Sequence, residues 1–305
     1  MATLIDELQQ AVERVSGSAG PSVVRIGRGP GRGAGMVVGP DRVLTNAHNL
    51  RGPETTVTFA DGRSVTANAT GVDSDGDLAV LTVETGDTAA ISWQPEAVQP
   101  SPGTPVFAVA THGPAGLRIT FGLVSAVGQT FGGPRGRTIG GGIEHTAPLG
   151  RGSSGGPVVD AQGSLLGINT HRLGDGFYLA LPADTDLRRR VDALAAGVAP
   201  ERPRLGVALA PAHAARRLRA AVGLPERDGL LIRAVADDSA AARAGLRQGD
   251  LLVAVGGQPL TTAEELYAAL DGAAGARLHL TIVRGTDESE VEVSFADEPT
   301  EAGGA

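Results

Sequence analysis

From Val23 to Val191 the chain runs through one short apolar segment after another, punctuated by turn signals such as Gly39-Pro40 and Asp61-Gly62. Val23-Val24-Arg25-Ile26, Arg42-Val43-Leu44-Thr45, Leu78-Ala79-Val80-Leu81-Thr82-Val83 and Leu165-Leu166-Gly167-Ile168 have the length and make-up of strands. This rhythm leaves few folds open, because many short strands at close spacing build a sandwich or barrels. The composition agrees. The 45 Gly and 19 Pro supply turns, and 41% apolar residues suffice for packed cores. With only 3% aromatics, those cores must rest on Val, Leu, Ile and Ala. A length of 305 residues accommodates two domains.

An amphipathic helix is expected over residues 4–15, with Leu4, Ile5, Leu8, Val12 and Val15 on one face and Gly17 to Pro21 ending it. A second helix, Asp184 to Leu194, closes the β-rich region between Pro182 and Gly197. Beyond it strands such as Leu230-Leu231-Ile232-Arg233 mix with helices over 240–244 and 263–270, the latter capped by Thr261 or Thr262. The expected organisation is an N-terminal helix over 1–20, a β domain over 21–197 and a linker over 198–203. A second domain follows over 204–296, then a disordered acidic tail over 297–305.

Several chemistries are excluded at once. All 26 basic residues are arginine, so there is no lysine for a phosphate-binding loop, a Schiff base or a Ser-Lys dyad. The absence of cysteine removes disulfides, thiolate metal sites and thiol nucleophiles. A net charge of −8 with scattered arginines argues against a nucleic-acid groove. Asp73-Ser74-Asp75-Gly76 imitates part of a calcium loop but lacks its bidentate Glu, and the six histidines lack ligand spacing, so neither metal nor cofactor is expected. No apolar stretch approaches the ~20 residues of a membrane span. The N-terminus lacks the basic start and apolar run of a signal peptide, so the chain as written reads as cytoplasmic; a trimmed leader would make it extracytoplasmic.

Three segments carry chemistry. In Gly152-Ser153-Ser154-Gly155-Gly156-Pro157 the glycines permit a tight turn that would expose Ser154 and aim the Gly152 and Ser154 amides at one point. A plain Gly-Ser surface turn would look the same. Thr45-Asn46-Ala47-His48 sets a histidine just past a strand, where a base can be held rigidly. In Asp73-Ser74-Asp75-Gly76-Asp77, Asp77 directly precedes a buried-type strand and is the carboxylate best placed to orient an imidazole, while Asp73 and Asp75 look like turn carboxylates. The order His, Asp, Ser is that of the chymotrypsin-type triad. The α/β-hydrolase elbow, which Gly152-x-Ser154-x-Gly156 also fits, needs Asp and His after the Ser and a helix opening there, and neither is present.

With these segments on view, the chain resembles the HtrA (DegP-like) serine proteases from about Pro21 to Ala296. The likeness rests on Gly33-Ala34-Gly35-Met36-Val37-Val38, Leu44-Thr45-Asn46-Ala47-His48, Asp77-Leu78-Ala79-Val80-Leu81, Gly152 to Asp160 and Gly167-Ile168-Asn169-Thr170. It implies a mainly β fold, a chymotrypsin-like double β-barrel followed by an α+β PDZ domain. It also implies His48 as general base, Asp77 as its orienter and Ser154 as nucleophile, with an oxyanion hole from the Gly152-Ser153-Ser154 backbone through the Gly152 and Ser154 amides. Leu149, Ile168 and Ala180, the last on the strand Phe177–Pro182, suggest a shallow apolar pocket for small or medium apolar residues. Arg204-Leu205-Gly206-Val207 looks like a PDZ carboxylate loop, in which the Leu205, Gly206 and Val207 amides hold a peptide C-terminus and the next strand pairs with the peptide. Ala263–Leu270 would be the other wall of that groove.

The family resemblance implies ATP-independent endoproteolysis of unfolded or exposed polypeptide by a homotrimer. A different class, a scaffold or chaperone with an idle triad working through the PDZ groove, fits the same motifs. The chain departs from the family pattern at Ser153, where Asn is usual, and at Asn49, where an apolar residue is usual. His145-Thr146-Ala147-Pro148-Leu149-Gly150-Arg151-Gly152 also stands where Thr-Asp-Ala-x-Ile-Asn-Pro-Gly is common. Elsewhere the reading is bland. Gly27–Gly33 reads as a hairpin loop, Gly132–Arg137 and Gly140–Gly142 as a mobile loop, and Arg188-Arg189-Arg190 as a solvated helix face. His145 and His171 flank the motifs and read as structural or exposed.

Overall fold

The computed structural model describes residues 3–28, 33–111, 116–132, 138–200, 203–273 and 277–295. The main division of the chain falls between Ala199 and Pro200, giving two compact units.

The first unit opens with helix α1 (Leu4–Ser18). Its start is fixed by a capping box: the Thr3 hydroxyl accepts from the Asp6 amide and the Asp6 carboxylate accepts from the Thr3 amide. The helix buries Ala11 and Val15 and continues through Gly17, past the expected end. Six strands follow: β1 (Val23–Ile26), β2 (Gly33–Gly39), β3 (Arg42–Thr45), β4 (Glu54–Thr58), β5 (Ser64–Asp73) and β6 (Leu78–Thr82). They close into a barrel in the order β1-β2-β3-β6-β5-β4. Another six, β7 (Pro105–Thr111), β8 (Leu117–Gly132), β9 (Thr138–His145), β10 (Pro157–Val159), β11 (Leu165–Gly174) and β12 (Phe177–Pro182), close a second barrel, β10-β11-β12-β9-β8-β7. Closure leaves no unpaired edge, which suits a chain so rich in strands.

Helix α2 (Thr185–Ala195) follows the second barrel, capped by Asp184, whose carboxylate accepts from the Leu187 amide at 3.0 Å. Leu187, Val191 and Leu194 of α2 join Met36, Leu44, Leu78 and Val80 of the first barrel and Phe107, Val109, Leu165, Ile168 and Leu181 of the second in one shared core. The core is aliphatic, as the scarcity of aromatics requires.

The second unit contains β13 (Val207–Ala210), α3 (Ala212–Ala221), β14 (Leu230–Val235), α4 (Ala240–Arg243), β15 (Leu251–Val255), β16 (Gln258–Pro259), α5 (Ala263–Gly272), β17 (Arg277–Arg284) and β18 (Asp287–Ser294). The sheet order is β13-β14-β15-β17-β18, with β16 paired to β15, so β13 lies at an edge. Thr262, rather than Thr261, is the cap of α5, in a capping box with Glu265. Helix α3 has no counterpart in the sequence expectation. Its buried side chains are Ala215 and Arg219, which do not make an apolar stripe.

The expected tail from 297 lies outside the described residues, as do residues 29–32 and 133–137 of the two expected loops. Gly140–Gly142, expected in a loop, belong to β9.

Candidate active site

The turn between β5 and β6 places Asp77. The Asp73 carboxylate accepts from the Gly76 amide at 2.8 Å, and Arg190 of α2 donates to Asp73 Oδ2 at 3.1 Å and to the Gly76 carbonyl at 3.3 Å. A Cβ on Gly76 would lie 2.1 Å from the Arg190 guanidinium and 2.2 Å from Asp73 Oδ2, so a side chain there would push the pair aside. Within this frame Asp77 takes φ 55°, a left-handed conformation unfavourable for most residues. Asp73 and Asp75, expected as turn carboxylates, are buried along with Asp77, and Arg190, expected on a solvated face, is ion-paired to Asp73. Fully buried, Asp77 has its polar atoms met. Its carboxylate accepts from the His48 amide at 3.1 Å, from His48 Nδ1 at 2.8 and 2.9 Å and from the Thr170 hydroxyl at 2.8 Å, while Asn46 donates to its carbonyl at 2.9 Å. A carboxylate on Nδ1 fixes the proton there and leaves Nε2 as the basic nitrogen.

The Ser154 turn is built from both barrels. Gly152 and Gly155 take φ 81° and 88°, and a Cβ on Gly155 would lie 2.2 Å from the Ala34 carbonyl. The Ser154 carbonyl accepts from the Ala34 amide at 2.8 Å and from the Asn49 side chain at 2.9 Å. On the other side the Gly155 amide donates to the Asn169 carbonyl, and the Asn169 amide to Gly156. Among the described residues no protein acceptor meets the Gly152 or Ser154 amide, while the Ser153 amide donates to the Gly150 carbonyl at 3.3 Å. Two amides of the three residues are therefore left without an acceptor among the described residues. The Ser154 hydroxyl donates to the Thr170 carbonyl at 3.2 Å, and among the described residues no hydrogen bond joins it to the His48 ring.

The three expected pocket residues divide. Leu149 packs on the cluster that holds Ala180 inside the second barrel. Ile168 is fully buried in the core shared with α2. His145, read as bland in the sequence, is buried two residues along β9 from Ile143 of the Ala180 cluster. The Asn169 amide nitrogen donates to Gly156 and Pro157, so its oxygen faces His145 Nε2 at 3.0 Å and that nitrogen carries the proton. Nδ1 of His145 is buried without a partner, and its ring stacks on Tyr178 at 5.8 Å. Burial pushes the imidazole down to about 4, against a smaller opposing effect of Asn169. Arg172 lies over Tyr178 and donates to the Leu149 carbonyl. The surroundings of Leu149 are thus more polar than the expected apolar slot. Thr170, quoted in the motif but given no role, and Asn49, noted only as a departure, are the contacts that sequence reasoning missed.

In the second unit Gly206 takes φ 79°, and a Cβ there would lie 2.2 Å from that of Ser239. The Leu205 and Gly206 carbonyls accept from the Ala241 and Ala236 amides, which pins the loop from one side. Val207 opens β13, which pairs with β14 on one side only. Val207 and Leu209 share a core cluster with Leu266 and Leu270 of α5. Among the described residues there is no cluster of three metal-ligating side chains, and no helix is long and apolar enough to cross a membrane.

Comparison with known proteins agrees with this fold. Residues 33–168 match the trypsin-like peptidase domain family and residues 231–284 the PDZ domain family. A putative serine protease of Synechocystis sp., HhoA, is 31% identical over 92% of this chain and 74% of its own length. The chain belongs to the HtrA family. Another HtrA-type relative, the probable periplasmic serine endoprotease DegP-like of Brucella suis, is 31% identical over 89% of the chain; here the chain spans about half of the relative, 54%. HtrA-type solved structures share the fold. The protease AlgW with a decapeptide superposes with a TM-score of 0.66 at 22% identity over 94% of this chain and 99% of that one. The serine endoprotease from Yersinia pestis gives 0.64 at 23% identity, covering 92% and 96%.

Proposed function

We propose that this HtrA-family chain is an ATP-independent serine endopeptidase acting on unfolded or exposed polypeptide, with a PDZ domain that binds peptide C-termini. The observation that carries the reading is the buried Asp77 carboxylate on His48 Nδ1, beside a serine turn with two open amides. In the proposed reaction the Ser154 hydroxyl leaves the Thr170 carbonyl, passes its proton to His48 Nε2 and attacks the scissile carbonyl. Leaving that single hydrogen bond costs about 1 kcal/mol. Asp77 stabilises the imidazolium, and the Gly152 and Ser154 amides hold the oxyanion. His48 then protonates the leaving amine, and water hydrolyses the acyl-enzyme. At the second unit, the loop Leu205–Val207 and the open edge of β13 suit a peptide terminus that adds a strand. Relatives named periplasmic make an extracytoplasmic location the first to test, by fractionating cells that express the native gene.

Wild type and Ser154→Ala are compared on unfolded casein, with a fluorophosphonate label on each. The alanine variant should lose about a millionfold in turnover, the scale of a removed triad nucleophile, together with all labelling. Equal cleavage by the two proteins would end the proposal. One observation favours an idle scaffold instead: the Ser154 hydroxyl is bonded to Thr170 rather than to His48. That reading expects no fluorophosphonate labelling of a wild-type protein that still binds C-terminal peptides.

A further inference from the structure

The strand β11 is irregular where it passes the site: its register against β12 slips between Asn169 and His171. In a regular strand Thr170 and His171 would face opposite sides of the sheet. A bulge re-aims side chains, and here it brings Thr170 Oγ1 within 3.0 Å of His171 Nδ1. Thr170 has one hydroxyl proton, and a carboxylate can only accept, so that proton goes to Asp77 Oδ2 at 2.8 Å. The Thr170 oxygen must then accept from His171, which carries its proton on Nδ1. Every bond has a direction: His171 donates to Thr170, Thr170 to Asp77, and His48 to Asp77 from the other side. The His171 ring stands edge-on to His48 with centroids 6.2 Å apart, and it also meets the Phe131 ring, at 5.7 Å. The titratable groups facing His171 are His48 and Asp77. Burial lowers its pKa, with Asp77 opposing and His48 reinforcing, so at neutral pH the ring is uncharged.

We propose that His171 is a positioning residue of the catalytic apparatus, holding the Asp77 carboxylate against His48 through the Thr170 hydroxyl. The inference rests on the peptidase reading. Without the His171 donor the Thr170 hydroxyl is free to turn its proton elsewhere, and Asp77 loses a fixed partner.

The test is the hydrolysis of a fluorogenic peptide by wild type, His171→Leu, His171→Asn, Thr170→Val and the double variant Thr170→Val/His171→Leu. Rates are normalised to active sites counted with fluorophosphonate. His171→Leu should lower kcat about tenfold with KM within about twofold. It should also move the acid limb of kcat/KM to lower pH, because a poorly placed carboxylate stabilises the His48 imidazolium less. In His171→Asn the amide takes the place of the Nδ1 donor and cannot titrate, so most of the lost kcat and the position of the limb should return. Adding His171→Leu to Thr170→Val should cost little more, since the middle of the relay is already gone. A merely structural role would reduce the number of active sites but leave kcat per site and the limb unmoved, and that result overturns the inference. So does an Asn variant no better than Leu. A wild type that neither labels nor hydrolyses would instead remove the peptidase reading and the inference with it.

Discussion

Replacing His145 with glutamine should make the protease unit markedly less sensitive to acid. His145 is completely buried, and its ring is held neutral until the pH falls to about 4, chiefly by loss of solvent. In the unfolded chain the same imidazole titrates near 6.5. Between these values the unfolded state binds a proton that the folded state excludes, so stability rises with pH through that window and is lost as the pH falls through it. At about 1.4 kcal/mol per pH step, the loss between pH 8 and pH 5 amounts to about 2 kcal/mol, most of it accumulating below 6.5. Glutamine can keep the hydrogen bond, because its amide nitrogen sits where Nε2 donates to Asn169, but it cannot titrate.

The measurement suits the full chain. Trp93 is the single tryptophan, and it lies in the protease unit with its indole nitrogen donating to the Ala183 carbonyl at 2.7 Å. Its fluorescence therefore reports unfolding of that unit alone. Urea titrations at pH 8 and pH 5 should show wild type losing about 2 kcal/mol more than His145→Gln. Carboxylates common to both proteins cancel in the difference. Equal losses would refute the account, because they would mean that His145 gains its proton in the folded state as easily as in water.

Two further perturbations follow from the geometry. Arg190→Leu withdraws the guanidinium from the buried Asp73 carboxylate, which should cost about 2–3 kcal/mol, below the ~3–5 kcal/mol for breaking a fully buried pair, because Arg190 is itself partly exposed. It should also lower kcat more than it raises KM, with Asp73→Asn recovering part of the stability, as read by Trp93 unfolding and peptide hydrolysis. Gly206→Ala forces a side chain into a left-handed position against Ser239, a strain of about 1–2 kcal/mol that displaces the loop amides. Anisotropy of a labelled C-terminal peptide should show binding weakened about tenfold or more.

Much of the architecture was readable because it is written locally. The apolar runs pointed to a sandwich or barrels and the family resemblance to the double barrel, Asp184 and the Thr261-Thr262 pair marked the helix starts, and the order His48, Asp77, Ser154 survived in one dimension. What escaped the sequence depends on contacts between distant residues or on backbone irregularity. The Arg190 to Asp73 pair spans the chain from α2 back to β5, and in the sequence it looks like an exposed basic run. The positive φ of Asp77 leaves no mark on composition. The bulge that turns His171 toward Thr170 breaks the period of two on which strand reading relies, and that same period sends Ile168 into the shared core, away from Leu149 and Ala180. Helix α3 was missed because it buries alanine and a whole arginine, whose guanidinium donates to the Pro225 and Gly285 carbonyls, instead of large apolar side chains.

Asn49 reaches from the His48 turn to the Ser154 carbonyl. The resemblance leads one to expect an apolar residue after the histidine, and a buried polar side chain is costly unless its atoms are met. Here the amide nitrogen is met by the Ser154 carbonyl at 2.9 Å, by Thr45 Oγ1 at 3.0 Å and, at 3.5 Å, by the Ala34 carbonyl, whereas Oδ1 has no partner. An unmet buried acceptor costs about 1–3 kcal/mol, and a hydrogen bond returns about 1 kcal/mol. On balance the side chain contributes little to stability. What it does contribute is placement: it ties the short helical turn that carries His48 to the carbonyl of the residue proposed as nucleophile, across the junction of the two barrels. The Ala34 amide makes a parallel tie to the same carbonyl. Together they link the Ser154 carbonyl to both the His48 turn and β2 of the first barrel. The Ser154 turn is thereby tied down even though it contains two glycines in left-handed conformations and would be loose by its own propensities.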